Sequence, residues 1–186
     1  MADAAEKLAT YQDVLDAPPN VVAEIICGRL VTHPRPTFRH GLAGIGIGGK
    51  LVPPFHFGDG GPGGWWILDE PELHLGDDIV VPDLAGWRRE RMPEFPDAAW
   101  ISLAPDWACE ILSPSTARYD RGEKREIYAR EGVKHLWHVD PVDRLLEAFE
   151  LNDGNWMLLK TLKNDEEVAL APFASVPFLL GALWPD

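Results

Sequence analysis

The sequence predicts an α+β fold, a mixed β-sheet flanked by two or three helices in a single domain over residues 1–186. Three observations predict it. Stretches rich in β-branched and aromatic residues recur along the chain (VVAEII, WWILDE, IVVPDLAGW, WACEILS, HLWHVD) and read as strands. Two gaps between such stretches, Cys27-Gly28 and Asp153-Gly154, are two-residue connections of the kind that close hairpins. The balance of 46% apolar and 25% charged residues is that of a globular chain, and no repeat, linker or low-complexity segment divides it.

Each element follows in order. Thr10 and Asp13 form a capping box for a short helix over 11–16, which Pro18-Pro19 stops. VVAEII and RLVTH pair around Cys27-Gly28. Thr37 opens a helix through Lys50 that contains Gly41, Gly44, Gly46, Gly48 and Gly49. Each interior glycine costs a helix about 1 kcal/mol relative to alanine, so packing must hold this element. Glycine and proline punctuation makes 53–64 a loop. WWILDE, LHL and IVVPDLAGW follow as strands, RRERMPEFPDAA as a polar connection, and WACEILS as a compact apolar strand.

Residues 113–116 turn the chain, and Asp120 caps a helix running to Glu131. Helical spacing puts Ile127 and Tyr128 inside and Arg121, Arg125 and Arg130 mostly outside, with Gly132 as the stop. HLWHVD ends at Asp140-Pro141, and RLLEAFEL pairs with WMLLKTL around Asp153-Gly154. The longest uncharged run, 168–185, is interrupted by Pro172, Pro177 and Gly181, so 171–178 reads as a buried strand and turn and not as a spanning helix.

Seventeen Lys+Arg against 30 Asp+Glu give a formal charge of −13, which repels polyanions at long range. Cys27 and Cys109 form no CxxC pair and sit in apolar runs, where each reads as a small buried hydrophobe. MADAAEKLAT has no apolar leader, so a cytoplasmic location with no membrane partner is expected.

Several motifs are set aside. Gly44, Gly46 and Gly49 match GxGxxG, yet HPRPTFRH precedes them where a strand is required. His135 and His138, three apart in a strand, face opposite sides and make no joint metal site. No GxSxG elbow exists, and Ser113, Ser115 and Thr116 read as turn residues. More informative are carboxylates inside apolar strands, Asp83 in IVVPDLAGW and Glu110 in WACEILS. Buried charge is costly unless paired or bound to a cation. Each alone reads equally well as a salt-bridge partner. Together, with Lys124 on the next helix, they fit a Mg²⁺ site, because Mg²⁺ keeps several waters and needs only one or two carboxylates. A nearby ammonium orients or deprotonates the attacking water and balances charge.

VPDLAGW followed by PDWACEILSPSTARYDRGEKREIYAREGVKHLWHVDP resembles the Uma-type restriction-endonuclease family, within the PD-(D/E)XK nuclease superfamily. AEIICGRLVTHPRPTFRHG resembles the family's opening hairpin, Pro-rich turn and His. The resemblance implies a restriction-endonuclease-like fold and a Mg²⁺-dependent endonuclease, with Mn²⁺ as a substitute, that hydrolyses phosphodiester bonds in DNA. It makes Asp83 and Glu110 metal ligands, with the backbone carbonyl of Ile111 as a further contact. The superfamily's Lys position falls on Leu112, and the resemblance gives that amine's role to Lys124. Glu24 completes the catalytic set Asp83, Glu110, Lys124 and Glu24; His40 and Tyr128 also match family positions. Cutting two strands with one site per chain makes a homodimer the geometric expectation.

Two other functions fit the same residues. One is a catalytically inactive nuclease-fold module with a binding or regulatory role, and the other a metal-dependent hydrolase of small phosphoesters. The charge is also uneven. From 51 to 87 there are seven acids and no Lys or Arg; from 118 to 134 there are six bases against four acids, and Arg88, Arg89 and Arg91 form a second cluster. A phosphate track is expected along those two basic stretches.

Overall fold

The computed structural model describes residues 8–185; residues 1–7 of the stretch read above as lacking a leader lie outside them. In chain order the elements are α1 (Tyr11–Leu15), β1 (Val21–Ile26), β2 (Arg29–Pro34), α2 (Phe38–Leu51), β3 (Trp65–Asp69), β4 (Leu73–Leu75), β5 (Asp78–Val80), β6 (Leu84–Arg88) and β7 (Trp107–Ile111). There follow α3 (Ala117–Arg121), α4 (Glu123–Arg130), β8 (His135–Asp140), β9 (Leu145–Asn152), β10 (Asn155–Lys163), β11 (Glu167–Val168) and β12 (Phe178–Leu179).

The expected α+β class holds, but the strands do not form one sheet. A six-stranded mixed sheet runs β10-β9-β8-β7-β6-β3, and a four-stranded antiparallel sheet runs β2-β1-β5-β4. Only β7 and β8 are parallel, and the α3–α4 segment makes the crossover between them. IVVPDLAGW, read as one strand, is two: β5 belongs to the smaller sheet and β6 to the larger, and the chain passes between them at Val81-Pro82-Asp83. Pro82 has no N–H to give a ladder, which suits a crossing point.

Both hairpin turns carry positive φ at each central residue, Cys27 at 51° and Gly28 at 74°, Asp153 at 48° and Gly154 at 75°. These are the left-handed conformations that a type I′ connection requires. Cys27 is thereby lifted to the surface, whereas Cys109 on β7 is buried as expected. Asp13 accepts from the Thr10 backbone and hydroxyl, both at 2.7 Å, as the capping box demands.

Helix α2 explains its glycines by what it touches. A Cβ on Gly44 would stand 3.3 Å from the Ile111 side chain, and one on Gly46 would stand 2.8 Å from Leu183. The helix therefore lies closer to the sheet and to the C-terminal segment than side chains would permit. Ala43, Ile47 and Leu51 are wholly buried there, and burial of a large aliphatic side chain contributes roughly 1.5–3 kcal/mol. That is enough to offset the helix propensity the glycines give up. The segment expected to be loop from residue 53 begins as a π-helical turn, Val52–Phe57, because Phe55 continues the buried stripe of α2 into the same core.

One core lies between α2, the C-terminal segment and one face of the large sheet, around Trp65, Trp107, Trp137 and Phe173. The other joins the opposite face to the small sheet and α4, around Trp87, Leu136, Ile127 and Tyr128. The helix expected from Asp120 to Glu131 is broken at Gly122, where a Cβ would meet the Arg118 carbonyl oxygen at 2.8 Å. Asp120 is thus not the cap of that helix but a buried residue of α3. Gly132 ends α4 at φ 76°. Among the described residues no helix is long and apolar enough to cross a membrane.

Candidate active site

The two sheets meet along a cavity of about 300 Å³ whose lining includes Glu24, His40, Asp83, Glu110, Asp120 and Lys124. Each comes from a different local device. Glu24 lies on β1 of the small sheet and Glu110 on β7 of the large one. Asp83 stands at the crossing between the sheets, and the break at Gly122 lets α4 present Lys124 in its first turn.

Lys124 is the centre of the charge network. Its Nζ lies 2.9 Å from Glu110 Oε1, 3.1 Å from Glu24 Oε1 and 3.6 Å from Asp120 Oδ1, and donates to the Val81 carbonyl at 3.3 Å. Burial works against the ammonium, yet Glu110 and Glu24 outweigh it and hold Lys124 well above its ordinary range. Lys124 is therefore protonated. Leu112, at the superfamily's usual Lys position, is 4% exposed and packed in the interior. The amine beside Glu110 comes from α4.

Glu110 is 1% exposed, and its Oε1 also accepts from the Tyr128 hydroxyl at 2.5 Å. Burial pushes its carboxyl well above the usual range; Lys124 pulls it down, while Asp120 and Asp83 push it further up. Asp120 is raised too, again by burial first, and its Oδ2 is buried with no hydrogen-bond partner. Glu24 behaves differently. Burial raises it, but Lys124, His33 and the Val81 N–H outweigh burial and hold it low. Its Oε1 accepts from Val81 N at 2.7 Å and Lys124, and its Oε2 lies 3.2 Å from His33 Nε2, short of a hydrogen bond.

Asp83 is fixed from two sides. Oδ2 accepts from Ile111 N at 2.6 Å, and Oδ1 lies 3.1 Å from His40 Nε2. Burial disfavours the His40 imidazolium, but the Asp83 carboxylate overcomes this and raises its pKa. Thr37 holds the start of α2 by accepting from His40 N. The Ile111 group that the structure ties to the site is its N–H.

Excess negative charge is what the donor set presents to a cation. Glu24, Glu110 and Asp120 surround one ammonium, and Asp83 shares their cavity. Among the described residues no three His, Cys, Asp or Glu side chains form a closed cage for a metal ion. Asp83 and Glu110 alone suit Mg²⁺, which retains waters and takes one or two carboxylates. The residues fit that ion.

The sequence reading missed several contributors. His33 faces Glu24, which the two-residue turn could have revealed, since it fixes the register Glu24↔Val31 and puts His33 on the same face. Asp120 was hidden by its capping-residue chemistry, and the Val81 backbone leaves no signal in composition. His138 stands opposite Glu110 on β8, with Glu147 beyond it on β9. Burial, then Arg121 and Arg125, depress the His138 imidazole to about 3, so it is neutral. His135 is not part of this row. The glycines of the GxGxxG match lie inside α2, as far from a phosphate-binding loop as the spacing argument expects.

The expected basic track divides. In 118–134, Arg121 pairs with Glu147 at 2.7 Å and Arg130 with Asp78 at 2.9 Å and Glu131 at 2.8 Å. In 88–91, among the described residues, only Arg91 has a carboxylate, Asp106 at 2.9 Å, while Arg88 and Arg89 lie over Trp65 and Trp66.

Comparison with known proteins gives a family and a related fold. The family model Uma2, described as "Putative restriction endonuclease", matches residues 8–178. Among solved structures the fold is similar to that of "a putative nuclease belonging to DUF820" from Anabaena variabilis, with a TM-score of 0.71 and 21% identity over 94% of this chain and 97% of that one. No curated protein sequence matches this chain.

Proposed function

Since the chain belongs to the Uma2 family of restriction-endonuclease-like proteins, we propose that it is a Mg²⁺-dependent endonuclease that hydrolyses phosphodiester bonds in DNA. The observation that carries this is the carboxylate excess around Lys124, with Asp83 in the same cavity.

Asp83 and Glu110 would hold the ion, with Mn²⁺ as a substitute. The bound ion supplies a Lewis acid that stabilises negative charge on the phosphate. Lys124, protonated and fixed by Glu110 and Glu24, neutralises charge that develops beside the ion. Because its ammonium is held above the ordinary range, it is not the base. His40 fixes Asp83 through Oδ1, and Tyr128 fixes Glu110 through Oε1. Glu24, through Oε1, is a positioning residue for Lys124.

Plasmid nicking with Mg²⁺ or Mn²⁺ tests the proposal, comparing the natural chain with Asp83→Ala, Glu110→Ala and Lys124→Ala. Activity should require the metal and be lost in all three variants. Asp83→Asn, at a partly exposed position, separates lost chemistry from lost folding. Equal activity in every protein would identify a contaminant and end the assignment. Calorimetry that finds no Asp83-dependent Mg²⁺ or Mn²⁺ site would favour a catalytically inactive binding module.

A further inference from the structure

Strand β3 forms one edge of the large sheet, and side chains close its outer side. Ile67 N donates to His56 Nδ1 at 3.1 Å. Arg89 donates through Nε to the Trp65 carbonyl at 3.2 Å and through Nη2 to the His56 carbonyl at 2.8 Å. The same guanidinium lies 3.9 Å above the Trp66 ring. No carboxylate pairs with it among the described residues, so its charge is not neutralised.

Aromatic rings extend from this point in two directions. His56 meets Phe57 at 4.7 Å and the Trp66 ring edge-on at 5.5 Å, and Trp66 meets Phe95 at 5.1 Å. Trp66 Nε1 donates to the Met92 carbonyl at 2.9 Å, which anchors the connection that carries Phe95. Phe57 and Phe95 are 67% and 50% exposed. Exposed rings of this size, set beside a guanidinium without a counter-charge, have the chemistry that takes the faces of unpaired nucleobases and a neighbouring phosphate.

Strand β3 turns Ile67 to the α2 side, where a groove of about 630 Å³ is lined by Asp83, Glu70, Val52 and Pro53 as well, and turns Trp66 to the other side. We infer that the Phe57–Trp66–Phe95 surface with Arg89 is a stacking platform that holds single-stranded nucleic acid. The inference rests on the nuclease reading and narrows its substrate to strands with accessible base faces. A duplex hides those faces within its stack.

The test measures binding without cleavage. Fluorescence anisotropy in EDTA would follow a labelled 20-nucleotide oligo(dT), and a labelled duplex of the same length, on the full chain and on Phe57→Ala/Phe95→Ala. Single strand should bind more tightly than duplex. The double variant should lose roughly tenfold or more of single-strand affinity while duplex binding is unchanged, as expected where stacking is removed. Thermal melting of the double variant should be unaltered, since both side chains face solvent. Undiminished oligo(dT) binding by the double variant, or a preference for duplex, would overturn the platform. Platform-dependent binding without Mg²⁺-dependent cleavage would instead sustain the platform and sink the nuclease reading, so the two failures are distinguishable.

Discussion

The two basic stretches of this chain, 118–134 and 88–91, differ in how many of their side chains a carboxylate reaches. In the first, three cations are bound by carboxylates, Lys124 by Glu110 and Glu24, Arg121 by Glu147 and Arg130 by Asp78 and Glu131, while Arg118 and Arg125 lie over Tyr119 and Phe149. These pairs hold α3 and α4 to the sheets and set Lys124 at the bottom of the cavity. In the second, Arg88 and Arg89 rest on Trp65 and Trp66, whose π-faces attract a cation without cancelling its charge. In a chain of net charge −13, a run of bases does not by itself make a positive surface. What decides is whether a carboxylate reaches each base.

The largest test of this contrast is Lys124→Ala. Removing the partner of buried carboxylates is strongly destabilising, and about 3–5 kcal/mol of stability should be lost in urea denaturation. A change below about 1 kcal/mol would show that Glu110 is already protonated or wet, which would dissolve the difference between the two stretches. Tyr128→Phe removes one donor from the same carboxylate and should cost less, about 1.5–3 kcal/mol, the range for hydrogen bonds to charged groups. Mg²⁺ affinity, followed by calorimetry, should fall with it if Glu110 is a ligand.

Smaller again is the effect expected on nucleic-acid binding. Arg88→Gln should lower the slope of log affinity against log salt by about one, the signature of a lost phosphate contact. Arg121→Gln should leave the slope unchanged, because Glu147 already occupies its guanidinium. Equal slopes for the two variants would restore the single track that the sequence suggests.

How legible all this was follows from the range over which each signal acts. Local chemistry was readable: the Thr10–Asp13 box, both type I′ turns and the start of α2 stand where turn and cap residues put them. Asp83, Glu110 and Lys124 announced themselves because each sits in the wrong company, two carboxylates amid apolar strands and a lysine one helix later. Long-range pairing was not readable. Nothing local says that IVVPDLAGW changes sheets at Pro82, since each half is a sound strand alone, and the second sheet was missed for that reason. Asp120 and His33 were lost in the same way, their partners lying on other elements.

The smallest effect separates the stretches by pH. His40 is held above its ordinary value of 6.5 because Asp83 outweighs the cost of burying the imidazolium. A group raised on folding contributes stability that is fully present below the unfolded pKa and is lost as pH rises through the folded one. The stability gap between the natural chain and His40→Gln should therefore be widest below about 6.5 and close above the folded pKa. Glu24 has the opposite sign. Held below its ordinary 4.5, it contributes above that value and is lost as pH falls through its folded pKa. The cavity should thus be most stable between the two, as urea denaturation across the pH range would show. Arg88 and Arg89 have no such window, because a guanidinium keeps its proton throughout. Binding that depends on them should stay level where the His40 gap closes, and a parallel fall would mean that the outer surface draws its charge from the cavity.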